Sequence, residues 1–94
     1  MKFTEATVAG NRIEFLASAK YLAIPHTFEA DTKSGALVEV TDGLGKTKKG
    51  ICLHDVAVDS NPNGSVVVLG IVQTDKLPVK PSSSDEMFGT LIFI

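Results

Sequence analysis

The residues with the chemistry to act on a substrate sit together at Cys52-Leu53-His54-Asp55: a thiol, an imidazole and a carboxylate. Read as a strand, the stretch sends Cys52 and His54 to one face and Asp55 to the other. Nucleophile, base and orienting acid then cannot converge unless another residue arrives from elsewhere. A metal asks for more. Cys52 and His54 supply two ligands and His26 a third, whereas a closed structural zinc site takes four and the sequence holds no further Cys or His. The pair is therefore read as structural, and no catalytic, metal-ligating or cofactor-binding residue is assigned.

Two loops imitate known ligand motifs and fail on spacing. Gly43-Leu44-Gly45-Lys46-Thr47 contains Gly-Lys-Thr, but Val40 stands where a phosphate-binding loop requires its first Gly. Asp55, Asp59, Asn61 and Asn63 form a loose series of oxygen donors without the Gly and the terminal Glu of a hand-type calcium loop. The remaining acidic residues are scattered and read as solvent-facing charges.

The elements around the Cys-His-Asp stretch are strands. Gly50 to Val72 reads as two apolar strands separated by Asp59 to Gly64, and the run Val66 to Val72 is too continuous to leave one face wet, which predicts a mid-sheet strand. Asn61, Pro62, Asn63 and Gly64 are read as the fold-determining turn, with Asn63-Gly64 supplying the positive φ of a tight reversal. Upstream, Phe3 to Val8, a turn at Ala9-Gly10-Asn11 and Arg12 to Phe15 predict a hairpin with Ile13 and Phe15 on one face. Leu16 to Lys20 has no cap to support more than a helical turn. Tyr21 to Ile24 predicts a strand closed by Pro25. Ala36, Val38 and Val40 mark one side of another strand, and Leu44 to Lys49, with three lysines, reads as a solvated connection.

Downstream, Gln73 to Ser84 has the Pro and Ser content of a linker, and Ser84 to Phe88 allows one helical turn stopped by Gly89. Leu91, Ile92, Phe93 and Ile94 end the sequence on an apolar strand, which must pair within the sheet, lie under a loop or meet a neighbouring subunit. They are the candidate oligomer interface. With about six to eight short strands and turn signals between them, the expected fold is all-β in one domain, residues 1–94, a small β-sandwich or open β-barrel with at most one short helix near the C-terminus.

Composition limits the partners. Nine Lys and Arg against eleven Asp and Glu give a net charge of −2, which creates no field for nucleic acid or anionic lipid. One Cys excludes an internal disulfide, and no apolar run reaches the roughly 18–20 residues that span a bilayer. Lys2 is followed by acidic Glu5 without a continuous apolar segment, so the N-terminus does not read as a secretion signal. At 94 residues, with 44% hydrophobic but only 6% aromatic side chains and no Trp, the core is aliphatic and thin, and self-association is an expected source of stability.

The central stretch resembles a family. Gly35 and Leu37-Val38-Glu39-Val40, a turn at Asp42-Gly43, then Gly50-Ile51-Cys52-Leu53-His54-Asp55-Val56 and Asn61-Pro62-Asn63-Gly64 leading into Ser65 to Gly70 look like the small head-decoration or head-fibre proteins of tailed bacteriophages and prophages. Lys20 to Pro25 is also similar, so the resemblance runs from Lys20 to Leu77. It implies a non-catalytic virion structural protein, a small β-rich homotrimer on the capsid exterior that binds the major capsid protein, with no cofactor. The alternative from another class is a ligand- or carbohydrate-binding β-domain, which requires exposed aromatic side chains on a concave surface.

Overall fold

The computed structural model describes residues 3–5, 7–8, 11–12, 14–17, 20–41 and 43–94. The all-β expectation holds. Eight strands are described: β1 Phe3–Glu5, β2 Thr7–Val8, β3 Asn11–Arg12, β4 Lys20–Thr27, β5 Leu37–Thr41, β6 Thr47–Cys52, β7 Asn63–Val72 and β8 Leu91–Phe93. The helical content among the described residues is two 3-10 turns, Thr74–Lys76 and Ser84–Glu86. Strands β2 and β3 pair as a separate hairpin; Ala9, Gly10 and Ile13, which the sequence placed in that hairpin, lie outside the described residues. The main sheet runs β1-β4-β7-β6-β5, with β8 added in parallel to β7.

Strand β7 is the centre, as its unbroken Val66 to Val72 run requires. Alternate residues serve opposite faces, and both faces are covered. Val67 and Val72 join Phe15, Leu16, Tyr21, Ile51, Leu53, Leu77, Met87 and Leu91 in one core. Val66 and Val68 join Phe28, Cys52 and Val56 in the other, flanked by Ala36, Val38 and Val40 as their alternation predicts. Each fully buried aliphatic side chain of this kind contributes about 1.5–3 kcal/mol of transfer free energy.

An extra residue in β7 decides what its second edge can hold. Leu22 pairs with Leu69 and Ala23 with Val67, leaving Val68 as a β-bulge. The bulge shifts backbone parity, so Gly70 and Val72 face the same edge that Ser65 and Val67 present to β6. Two partners share that edge: Leu53 donates its amide to the Ser65 carbonyl at 3.1 Å, whereas Gly70 donates to Thr90 at 3.3 Å and Ile94 donates to Val72 at 2.9 Å.

The strands β6 and β7 separate beyond Gly50, and the last segment of the chain fills the wedge between them. At Gly50 the backbone of β7 is so close that a Cβ would lie 2.7 Å from the Val67 carbonyl and 2.3 Å from Val66 Cγ1. Met87 bridges to Lys49 of β6, and four residues later, at Leu91, β8 begins to cover β7.

Several local expectations change. Strand β4 continues through Pro25 to Thr27. The Phe28 amide donates to the Pro62 carbonyl, which places Ile24 and His26 on the hydrogen-bonded edge and turns the proline nitrogen outward, past the point where β1 stops pairing at Leu22. Asn63 and Gly64 are not the reversal but the first residues of β7, paired with Thr27 and His26. The chain reverses at Ala57 to Asn61, where the amides of Ser60 and Asn61 both donate to the Ala57 carbonyl. Asn61 and Pro62 form an Asx turn into the strand, with Asn61 Oδ1 accepting from the Asn63 amide at 3.0 Å. Gly64 is demanded by packing, since a Cβ there would meet Phe28 at 2.7 Å and Val56 at 2.8 Å.

The lysine-bearing connection is shorter than expected, because Lys48 and Lys49 already pair with Val40 and Glu39. The segment after β7 is no free linker: Leu77 is buried in the core.

Candidate functional site

Structure separates the Cys-His-Asp cluster more sharply than strand alternation did. Strand β6 ends at Cys52, so His54 does not share its face: the thiol is wholly buried, while His54 and Asp55 are exposed. Cys52 Sγ donates to the His54 carbonyl at 3.0 Å, and burial pushes the thiol above its ordinary pKa, which disfavours the thiolate a nucleophile needs. Asp55 turns the other way. It accepts the Ser34 amide at 2.9 Å and lies 3.6 Å from Lys33 Nζ, and the Ser34 hydroxyl donates to the Leu53 carbonyl at 2.8 Å. The cluster thus pins the 33–36 turn to the end of β6.

Three of the four oxygen donors of the calcium-like series, Asp55, Asn61 and Asn63, are also engaged in local structure. Asn61 holds its Asx turn, and Asn63 Oδ1 accepts from Thr27 Oγ1 at 3.3 Å. Among the described residues no three His, Cys, Asp or Glu side chains gather as a metal site. Among the described aromatic side chains, Phe15, Tyr21 and Phe28 are buried and Phe88 and Phe93 pack partly against the core. They offer little of the exposed ring surface a carbohydrate-binding module uses.

The terminal strand divides by face. Leu91 is buried in the core and Phe93 packs against it, whereas Ile92 and Ile94 are 57% and 67% exposed. Of the four candidate interface residues, therefore, only Ile92 and Ile94 present their side chains outward. Ile92 borders an apolar groove of about 450 Å³ whose floor is Leu69, Gly70 and Ile71 and whose rim includes Lys20 and Thr90.

Contacts from Thr90 and from the 82–86 segment tie this surface to the sheet. The Thr90 hydroxyl donates to the Val68 carbonyl, satisfying a group the bulge leaves outside the ladder. Lys48 Nζ donates to the Asp85 carbonyl at 2.7 Å, and Lys49 meets Glu86 at 3.4 Å. Glu86 in turn accepts the Ser82 amide at 2.9 Å, which with Lys49 holds its carboxyl below the ordinary range. Sequence reasoning missed Thr90 and this lysine anchoring. The one signal was a hydroxyl residue directly before an apolar strand, and nothing local says which carbonyl it reaches.

Comparison with protein families, with curated proteins and with solved structures finds no match. No helix among the described residues is long and apolar enough to cross a membrane.

Proposed function

We propose that this chain is a non-catalytic structural protein that decorates or stabilises the capsid of a tailed phage or prophage, acting on the virion exterior as a homotrimer docked on the major capsid protein. The observation that carries the reading is the outward side of the terminal segment: Ile92 of β8 and Ile94 just beyond it stand exposed while Leu91 and Phe93 lie in or against the core, and Ile92 borders a groove floored by Leu69 and Ile71. The likeness of Lys20 to Leu77 to head-decoration proteins supplies the partner. Many copies on a lattice make modest single contacts sufficient, because each bound copy sits among neighbours.

The test has two parts. Sedimentation equilibrium should give a trimer that Ile92→Asp converts to monomer without loss of the folded state; a wild-type monomer at high concentration would sink the oligomer. The purified domain mixed with expanded phage capsids should bind at a fixed ratio per shell subunit, and failure to bind any shell would sink the capsid role.

A further inference from the structure

The sheet is open on one side, between β4 and β5. These strands lie at separate positions in the strand order, yet His26 and Thr27 at the end of β4, Glu29 just after it, and Leu37, Glu39 and Thr41 of β5 line one slot of about 410 Å³. The polar groups at the slot follow from strand parity. The Cys52 amide donates to the Ala36 carbonyl, which turns Ala36, Val38 and Val40 toward β6 and leaves the main-chain groups of Leu37, Glu39 and Thr41 facing out. Among the described residues nothing pairs with that edge. On the opposite wall Thr27 faces outward by the same parity, and β1 has ended at Leu22.

The slot also has a charge. Glu29 and Glu39 line it, and no described Lys or Arg does. Strand β5 carries one charged side chain, Glu39, and neither Pro nor Lys nor a bulge within Leu37 to Thr41 blunts its bare edge.

We propose that this slot is a strand-addition site for an extended segment of a partner protein that carries Lys or Arg on alternate residues. The segment pairs antiparallel or parallel with β5, its backbone meets the amides and carbonyls of Leu37, Glu39 and Thr41, and its cations face Glu29 and Glu39. Main-chain pairing supplies the affinity and the two carboxylates select the sequence. The inference does not depend on the capsid reading, since it rests on the edge and the slot alone.

The experiment uses the full chain and a capped peptide of alternating Lys and Val as the probe. Peptide binding followed by amide hydrogen exchange should slow exchange at Leu37, Glu39 and Thr41 by about tenfold or more and leave Val38 and Val40, already bonded to β6, unchanged. A peptide methylated on alternate backbone nitrogens, with the same charge, should not bind. The double variant Glu29→Gln, Glu39→Gln, both exposed positions, should weaken binding by about fivefold or more. Absence of saturable binding, binding that survives backbone methylation, or protection confined to other residues would overturn the site. Undiminished affinity in the double variant would overturn the basic character of its occupant.

Discussion

The second edge of the central strand β7 and the outer edge of β5 are treated in opposite ways. The second edge of β7 is closed twice, by β6 up to the bulge and by β8 beyond it, with Leu91 and Met87 buried beneath. The outer edge of β5 is left without a partner among the described residues. The difference teaches that closure here is a matter of divergence and filling. Once Gly50 lets β6 approach β7 and then leave it, a wedge exists that only a long-range segment fills, and β5, on the far side of β6, receives no such segment.

The comparison breaks most severely at Gly50. Gly50→Ala drives a methyl group against the Val67 carbonyl and should cost about 3 kcal/mol in urea unfolding, because backbone and buried Val66 must both move. The open edge is sharpened by a pair of prolines. Val38→Pro removes a donor bonded to β6 and should cost about 3 kcal/mol, whereas Glu39→Pro removes one that faces out and should cost only about 1 kcal/mol. Equal losses would show that the β5 edge is already paired.

The closed edge is probed through its filler. Leu91→Ala should cost about 2–3 kcal/mol by leaving a cavity, while Ile92→Ala, one residue on, should stay within about 0.5 kcal/mol for the isolated chain and act on self-association instead. Thr90→Val keeps the shape but strands the Val68 carbonyl, at about 1 kcal/mol.

The smallest effect is acid sensitivity. In the folded chain, Glu86 and Asp55 titrate below the usual carboxylate range, chiefly because the Ser82 and Ser34 amides donate to them, with Lys49 and Lys33 assisting. Their stabilisation is complete above the unfolded-state values near pH 4 and is lost as pH falls through the lower folded-state values. The urea midpoint should therefore drop on acidification below about pH 4, and Glu86→Gln with Asp55→Asn should flatten that drop.

What the sequence made legible follows the reach of local physics. Strand β7 was readable because the run Val66 to Val72, six apolar side chains interrupted only by Gly70, fits a doubly covered strand, and β5 because Ala36, Val38 and Val40 alternate. Pro25 misled because a proline blocks only the edge its nitrogen faces, and that edge is set by β7, far along the chain. Asn63-Gly64 misled for a related reason: the pair suits a reversal, but Phe28 and Val56 need the glycine for clearance within a strand. The terminal strand was left with three possible destinations, since the wedge that receives it is made by Gly50 and Val68 together. The division of Leu91 from Ile92 then came from the burial pattern of β8, and the slot beside β5 from a parity that only the ladder of hydrogen bonds defines.

The pairing of β4 with β7 has a kinetic consequence. It joins the first third of the sequence to the last third, so the central ladder cannot nucleate from neighbours, and the chain must search before its best contacts form. The β5–β6 hairpin, whose partners are close in sequence, is free to form early, while the ladder that defines the sheet sets the tempo. Refolding in the millisecond-to-second regime of other nonlocal β-domains is the expected pace.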